Sequence, residues 1–260
     1  MTAAAIAACG LGKDFGSIRA LDALDLEVRE AEFFGFLGPN GAGKTTTVHI
    51  LATLLKPGRG TARVAGYDVV RESLQVRRGI GLVFQETTLD RDLTAEENLR
   101  FAARLWDLPG GVARPRIEQL LRQFGLLERR DDPVRTLSGG MRRALDVARG
   151  VLHAPRVLFL DEPTAGLDPR ARRSLWELVQ GLRRSSGLTV FLTTHYVEEA
   201  EPCDRVAVLD RGRLVALGTP AELKSAAGVG SLEEVFFART GRPLAEANGG
   251  QGGQGARGDQ

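Results

Sequence analysis

Hydrophobic and polar positions divide the chain into stretches of different texture. Up to about residue 93, short apolar runs alternate with turns. IAACGL opens as a strand, LDALDLEV alternates as a half-buried strand does, and EFFGFLG is an apolar run closed by glycine, like a buried strand. KTTTVHILATLL has helical length and spacing, GTARVAGYDV reads as strand, turn, strand, and IGLVFQ as another buried strand. Between Thr94 and Arg130 the period becomes helical. Thr94, with Glu97 three residues on and an apolar repeat behind it, predicts a capping-box start. RIEQLLRQFGL has helical spacing too, and helix continues through LSGGMRRALDVARGVLH. Strands then return in RVLFLDEP, LTVFLTTH and the hairpin RVAVLDRGRLVALG. An amphipathic helix, RARRSLWELVQGLRR, lies between the first two, and EEAEPCD is a helix end or turn.

Alternating strands and helices predict an α/β protein with a mainly parallel core sheet. The opening strands predict an antiparallel side sheet, and the middle stretch an α-helical subdomain. The expected divisions are 1–93 and 151–225 for the two parts of the core, 94–150 for the helical subdomain and 226–244 for a short C-terminal extension. AEANGGQGGQGARGDQ, rich in Gly and Gln without an apolar anchor, predicts a disordered tail over 245–260.

Composition adds a few exclusions. A net charge of +2 requires no polyanion-binding surface, so no nucleic acid is expected. Cys9 and Cys203 stand outside any CxxC or Cys/His cluster, which speaks against zinc and disulfides and for reduced thiols. The N-terminus lacks the basic region of a signal peptide. No uncharged apolar stretch reaches about 18 residues, so any service to a membrane comes from the side. Of 35 basic residues only Lys13, Lys44, Lys56 and Lys224 are lysines, which makes the placement of Lys44 notable.

Lys44 closes the run Gly38, Pro39, Asn40, Gly41, Ala42, Gly43, Lys44, Thr45, which fits GxxxxGK followed by Ser or Thr, between an apolar strand and a helix. Backbone N–H groups turned inward around a phosphate need conformations that glycine adopts freely, and the helix start adds partial positive charge. Lys44 can reach the β- and γ-phosphates, and Thr45 can offer its hydroxyl to Mg²⁺. Asp161 and Glu162 end the strand VLFLDEP, where an aspartate can hold the Mg²⁺ shell and a glutamate can polarise a water. His195 ends another apolar strand, and parallel strands present such ends to one side, so it can stand near the γ-phosphate with Glu162; Gln85 ends a strand in the same way, and its amide can ligand Mg²⁺ or orient water. His49 and His153 have no such context and read as structural. Ser138 reads as the N-cap of a helix whose start, with Gly139 and Gly140, is a second anion site on a separate lobe. One nucleotide does not need two such sites; a head-to-tail dimer does.

These motifs in this order resemble the nucleotide-binding subunit of an ATP-binding cassette (ABC) transporter over about residues 5–225. The resemblance rests on KDFG, GPNGAGKTT, Gln85, LSGGM, VLFLDEP, AGLD ending at Asp168, and His195. It implies that Phe15 stacks on adenine, that Gly38 to Thr46 bind phosphates and Mg²⁺, and that Gln85 senses the γ-phosphate and links to the transporter. Ser138 and Gly140 would contact ATP on a partner subunit, Asp161 would support Mg²⁺, and Asp168 would couple the two sites. Glu162 would be the base and His195 the switch. Phe15 replaces the more usual tyrosine and Met141 the commoner glutamine of the signature. LSGGM followed by arginines, GTPAELK and SLEEVFFARTGR resemble the daunorubicin-resistance branch, whose permeases are of ABC-2 type. There an accessory segment of some tens of residues separates the last two stretches, whereas here only SAAGVG does.

The expected function is therefore an ATPase with ATP and Mg²⁺ at its site. It would work as a dimer of identical copies on the cytoplasmic face of the membrane, and power a separate transmembrane permease that exports drugs or other hydrophobic compounds. The alternative is a soluble ABC ATPase acting on ribosomes or DNA. Ribosome-acting members usually carry two cassettes and DNA-repair members long coiled-coil insertions; here about 94 residues separate Lys44 from Ser138.

Overall fold

The computed structural model describes residues 4–244; the expected disordered tail lies outside the described residues. In chain order the strands are β1 (Ala4–Phe15), β2 (Ile18–Arg29), β3 (Phe33–Leu37), β4 (Arg59–Val64), β5 (Tyr67–Asp68), β6 (Ile80–Val83), β7 (Val157–Asp161), β8 (Thr189–Thr194), β9 (Arg205–Asp210) and β10 (Arg213–Gly218). The helices are α1 (Lys44–Leu51), α2 (Ser73–Gly79), α3 (Ala95–Leu105), α4 (Gly110–Gln123), α5 (Gly139–Gly150), α6 (Pro169–Ser186), α7 (Val197–Ala200), α8 (Pro220–Ala227) and α9 (Leu232–Thr240).

The central sheet has the order β10-β9-β3-β8-β7-β6, parallel throughout except for the β9–β10 hairpin at its edge. The side sheet, β2-β1-β4-β5, is antiparallel, as the opening strands predict. The period of two decides which core each side chain enters. Phe33, Leu37, Leu158, Leu160, Val190 and Leu192 face the helical side, while Phe34, Phe36, Phe159 and Phe191 face the side sheet and α1. The latter four are packed rings, with centroids 5.2–5.5 Å apart in the three close pairs.

Thr94 caps α3 with the reciprocal Thr94–Glu97 box. Leu99, Ile117, Leu120, Leu145 and Val147 join α3, α4 and α5 to the sheet in one continuous core. Leu232, Val235 and Phe236 of α9 enter that same core, so the segment after residue 226 packs as part of the main body.

Two local departures from the expected pattern have simple causes. α1 stops at Leu51 because the amides of Leu54 and Leu55 both turn back to the His49 carbonyl, through a left-handed Thr53 (φ 65°). Leu55 then packs against the core under the side sheet. α2 leaves no periodic mark in the sequence, because it buries Val76 alone.

Candidate functional site

Parallel strands end on one side, so β3, β6, β7 and β8 deliver Gly38, Gln85, Glu162 and His195 to the same edge. At the end of β3 the chain loops through residues 38–43 and enters α1 at Lys44. Gly43 caps this helix at φ 105°, and a Cβ there would lie 2.5 Å from the Ala20 carbonyl oxygen. Both conformation and space therefore demand glycine. Lys44 is buried; its ammonium donates to the carbonyls of Gly38 (2.8 Å) and Pro39 (3.0 Å) and lies 3.1 Å from Glu162 Oε1. Burial lowers its pKa, against the opposing pull of Glu162 and Asp161.

Asp161, 3% exposed, accepts from the Thr193 hydroxyl at 2.5 Å and from the Thr45 hydroxyl at 3.4 Å. Glu162 follows in the left-handed region at φ 46°, a conformation that costs a non-glycine residue of the order of 1–3 kcal/mol. Its amide is held by the Thr193 carbonyl and hydroxyl, each at 3.1 Å. This turn sends the carboxylate back across the strand ends, with Oε2 3.1 Å from His195 Nδ1. Burial alone would raise the Glu162 pKa, but the close approach of His195 and the charge of Lys44 outweigh it and hold the carboxyl below its ordinary value.

Phe15, Asn40, Gly41, Gly43, Lys44, Thr45, Thr46, Gln85, Glu162 and His195 line one open cleft of about 600 Å³. Gly38 and Pro39 reach it through the Lys44 ammonium, and Asp161 through Thr45. Ala42 is buried beside it, its carbonyl bonded to the Gly212 amide. Phe15 stands 48% exposed at the mouth.

Ser138, Gly140 and Asp168 are elsewhere. They line a second cavity of about 420 Å³ with Phe124, Met141 and Arg170. Ser138 caps α5 by accepting from the Met141 amide at 3.2 Å, and Gly139 opens that helix. Asp168 caps α6 by accepting from the Ala171 amide at 2.9 Å. The two helix starts are in close contact: a Cβ on Gly140 would lie 2.9 Å from that of Ala171. One chain thus carries a glycine loop at the start of α1 and, lining a different cavity, the capped start of α5.

Sequence reasoning missed a buried brace behind His195. Glu199, 2% exposed, accepts from the Thr194 hydroxyl at 2.6 Å and from the Thr164 hydroxyl. Arg172 on α6 approaches Glu199 at 3.8 Å and lies over the Tyr196 ring, 4.5 Å from its centroid. Burial raises the Glu199 pKa, and the two threonine bonds only partly offset it. The brace ties the end of β8 to the turn after Glu162. The available signal was the paired threonines of FLTTH with a glutamate one helical turn beyond.

A nucleotide-sized cleft walled by a glycine loop, a buried lysine and a strand-end Asp-Glu pair defines a P-loop ATPase, and the remote helix start gives it the form of a cassette. The model of the ABC transporter family matches residues 21–165, and the chain belongs to that family as an ATP-binding subunit. It is 49% identical over 225 residues to the daunorubicin/doxorubicin resistance ATP-binding protein DrrA of Streptomyces peucetius, covering 86% of this chain and 68% of that one. It is 46% identical over 215 residues to the Nod factor export ATP-binding protein I of Ralstonia nicotianae, covering 82% and 67%. A solved ATP-binding subunit of an ABC transporter superposes with a TM-score of 0.81 at 29% identity, over 90% of this chain and 99% of that one. A dimeric ATP-binding cassette in a post-hydrolysis state, bound to ADP and phosphate, superposes with a TM-score of 0.74 at 27% identity, over 82% and 98%.

Proposed function

We propose that this chain is the ATP-hydrolysing subunit of an exporter of drugs or other hydrophobic compounds, working as a head-to-tail dimer of identical copies on the cytoplasmic face of the membrane. The observation that carries the dimer is the separation of the two anion-binding parts. The cradle at residues 38–46 and the start of α5 line different cavities of one chain, so each is completed by a second copy. The names of the relatives, resistance and export ATP-binding proteins, support the cargo class.

In this reading Phe15 stacks on adenine, and the amides of residues 38–46 wrap the phosphates. Thr45, Asp161 and Gln85 supply a hydroxyl, a carboxylate and an amide oxygen, a hard-oxygen set that fits Mg²⁺. Among the described residues no cluster of three or more His, Cys, Asp and Glu is built to hold a metal, which suits an ion that shares its shell with the nucleotide. Held there, Mg²⁺ would supply neutralising charge to the phosphate oxygens. Glu162 accepts the proton of a water whose oxygen bonds to the γ-phosphorus as the bridge to the β-phosphate breaks. His195 orients that carboxylate through Nδ1. Ser138, Gly139, Gly140 and Asp168 close over the ATP of the partner copy.

His195→Ala gives an expected pH signature. His195 helps to lower the Glu162 pKa, so its removal raises it. The base then protonates at a higher pH, and the acid limb of kcat/KM for the residual ATPase shifts upward. An unmoved limb means that His195 does not tune Glu162.

The permease has a candidate dock. Beside the Gln85 loop, a groove of about 350 Å³ is lined by Leu54, Phe84, Phe101, Leu105, Trp106 and His153. Phe101 and Leu105 are 57% and 68% exposed. Among the described residues no helix is long and apolar enough to cross a membrane, so a cytoplasmic segment of an ABC-2 type permease is the proposed occupant. Purification from membranes in mild detergent, after expression with neighbouring genes, is expected to retain a multi-span protein whose presence changes the ATPase rate. Leu105→Asp is expected to release it. Recovery with ribosomes or DNA and no membrane protein overturns the transport reading.

A further inference from the structure

The loop that carries Gln85 and the helix that begins at the Ser138 turn are fastened together by buried charge. Arg143 lies in the second turn of α5 and is 6% exposed. It donates from Nη1 to the Phe84 carbonyl at 2.6 Å and from Nη2 to the Gln85 carbonyl. One turn further, Asp146, 1% exposed, lies between two arginines: Oδ2 is 3.7 Å from Arg143 Nη1 and Oδ1 is 2.7 Å from Arg149 Nη2. Arg149 donates to the Thr88 carbonyl at 2.9 Å and also to the Thr88 hydroxyl. Two arginines of one helix, with Asp146 between them, thus grip Phe84, Gln85 and Thr88, just where β6 has ended at Val83 and sheet pairing no longer holds the backbone.

The chemistry of the grip favours transmission of movement over simple filling of space. Burying a guanidinium is costly unless its hydrogen bonds are met, and apolar packing would stabilise a static joint at least as well. A planar fork on two successive carbonyls fixes both distance and orientation, which a lysine cannot do. The Gln85 side chain lines the phosphate cleft, whereas Ser138 and Gly140 line the other cavity. Arg143 stands five residues from Ser138, about 7.5 Å along a rigid helix.

We infer that Arg143, held by Asp146, is a positioning residue that couples the Gln85 loop to the start of α5, so that a triphosphate in one chain's cleft sets the pose of the turn that closes over the ATP of a second copy. This rests on the proposed reading in which Gln85 meets the γ-phosphate and Ser138 and Gly140 serve the partner. Coupling of this kind requires one element that both sites bias, and the clamped loop-helix unit is that element.

The test uses the full-length chain with Arg143→Lys and, separately, Asp146→Asn, each with and without Glu162→Gln. Three readouts are needed: fluorescent-nucleotide affinity at protein concentrations too low for dimers, ATP-driven dimerisation by light scattering, and the Hill coefficient of ATPase activity. Monomer affinity is expected to stay within about twofold, while the ATP concentration for half-dimerisation in the Glu162→Gln background rises roughly 3- to 30-fold. The Hill coefficient should fall toward one. Parental dimerisation and cooperativity in both variants overturn the coupling. So does a fall in monomer affinity that matches the loss of dimer, because Arg143 would then act on its own cleft. Should Arg143→Lys fail to fold, Asp146→Asn decides, since it loosens the same fork and leaves the guanidinium in place. A clamp-intact Glu162→Gln protein that stays monomeric in ATP overturns the dimer reading itself, which distinguishes that failure from failure of the clamp.

Discussion

Glu162→Gln lowers steady-state ATP turnover by about 10²- to 10⁴-fold, the range expected for loss of a positioned general base. Nucleotide binding survives the change, and a stable ATP-bound dimer accumulates. The amide has the shape of the carboxylate, so the φ 46° turn and the Thr193 bonds that hold it remain satisfied. It can still accept a hydrogen bond from Lys44, but it has no negative charge and cannot take a proton from water. The Lys44 ammonium, 4% exposed, loses its carboxylate partner 3.1 Å away and gains more from a triphosphate in compensation. Affinity for ATP is therefore expected to hold or rise as turnover collapses. Single-turnover hydrolysis separates the step from product release, and gel filtration with ATP reports the dimer. Hydrolysis at the parental rate rules out Glu162 as the base.

Much of this site was legible because its parts are local. The glycine loop, its lysine and the Asp-Glu pair occupy consecutive positions at strand ends, and parallel strands must bring such ends together. The capping box of α3 and the N-cap Ser138 were equally readable, since a cap is decided within four residues. The brace at Glu199 and the clamp at Arg143 were not. Their partners lie 35 residues away at Thr164 and 58–59 away at Gln85 and Phe84, and two of those three partners are backbone carbonyls that leave no mark in a sequence. A charged residue inside an amphipathic helix reads as solvated by default, and only the fold shows Arg143 and Asp146 to be buried. The depth to which α9 enters the core was hidden for the same reason: its three buried residues are too few to mark a long apolar face.

Lys44→Ala separates two roles of one ammonium. The first is structural. Without Lys44, the Glu162 carboxylate keeps the His195 ring as its neighbour, 3.1 Å away, and becomes a poorly compensated buried charge. Removing one member of a buried pair costs about 3–5 kcal/mol, and the remaining partner and partial hydration of Glu162 bring the expected loss to about 1–3 kcal/mol. Glu162 has a depressed pKa in the folded chain, so its paired state adds stability above the unfolded value, and this is lost as pH falls through the folded one. The stability gap between parent and Lys44→Ala is therefore widest near neutrality and closes toward acid. The second role is binding: loss of charge-assisted hydrogen bonds lowers ATP affinity by about 10- to 150-fold. The double variant Lys44→Ala, Glu162→Gln distinguishes the two. It removes the stranded carboxylate, so thermal stability without added nucleotide recovers, whereas affinity for ATP does not. A double variant no more stable than Lys44→Ala means that Glu162 was never stranded, and an unchanged ATP affinity in Lys44→Ala overturns the assignment of the phosphate loop.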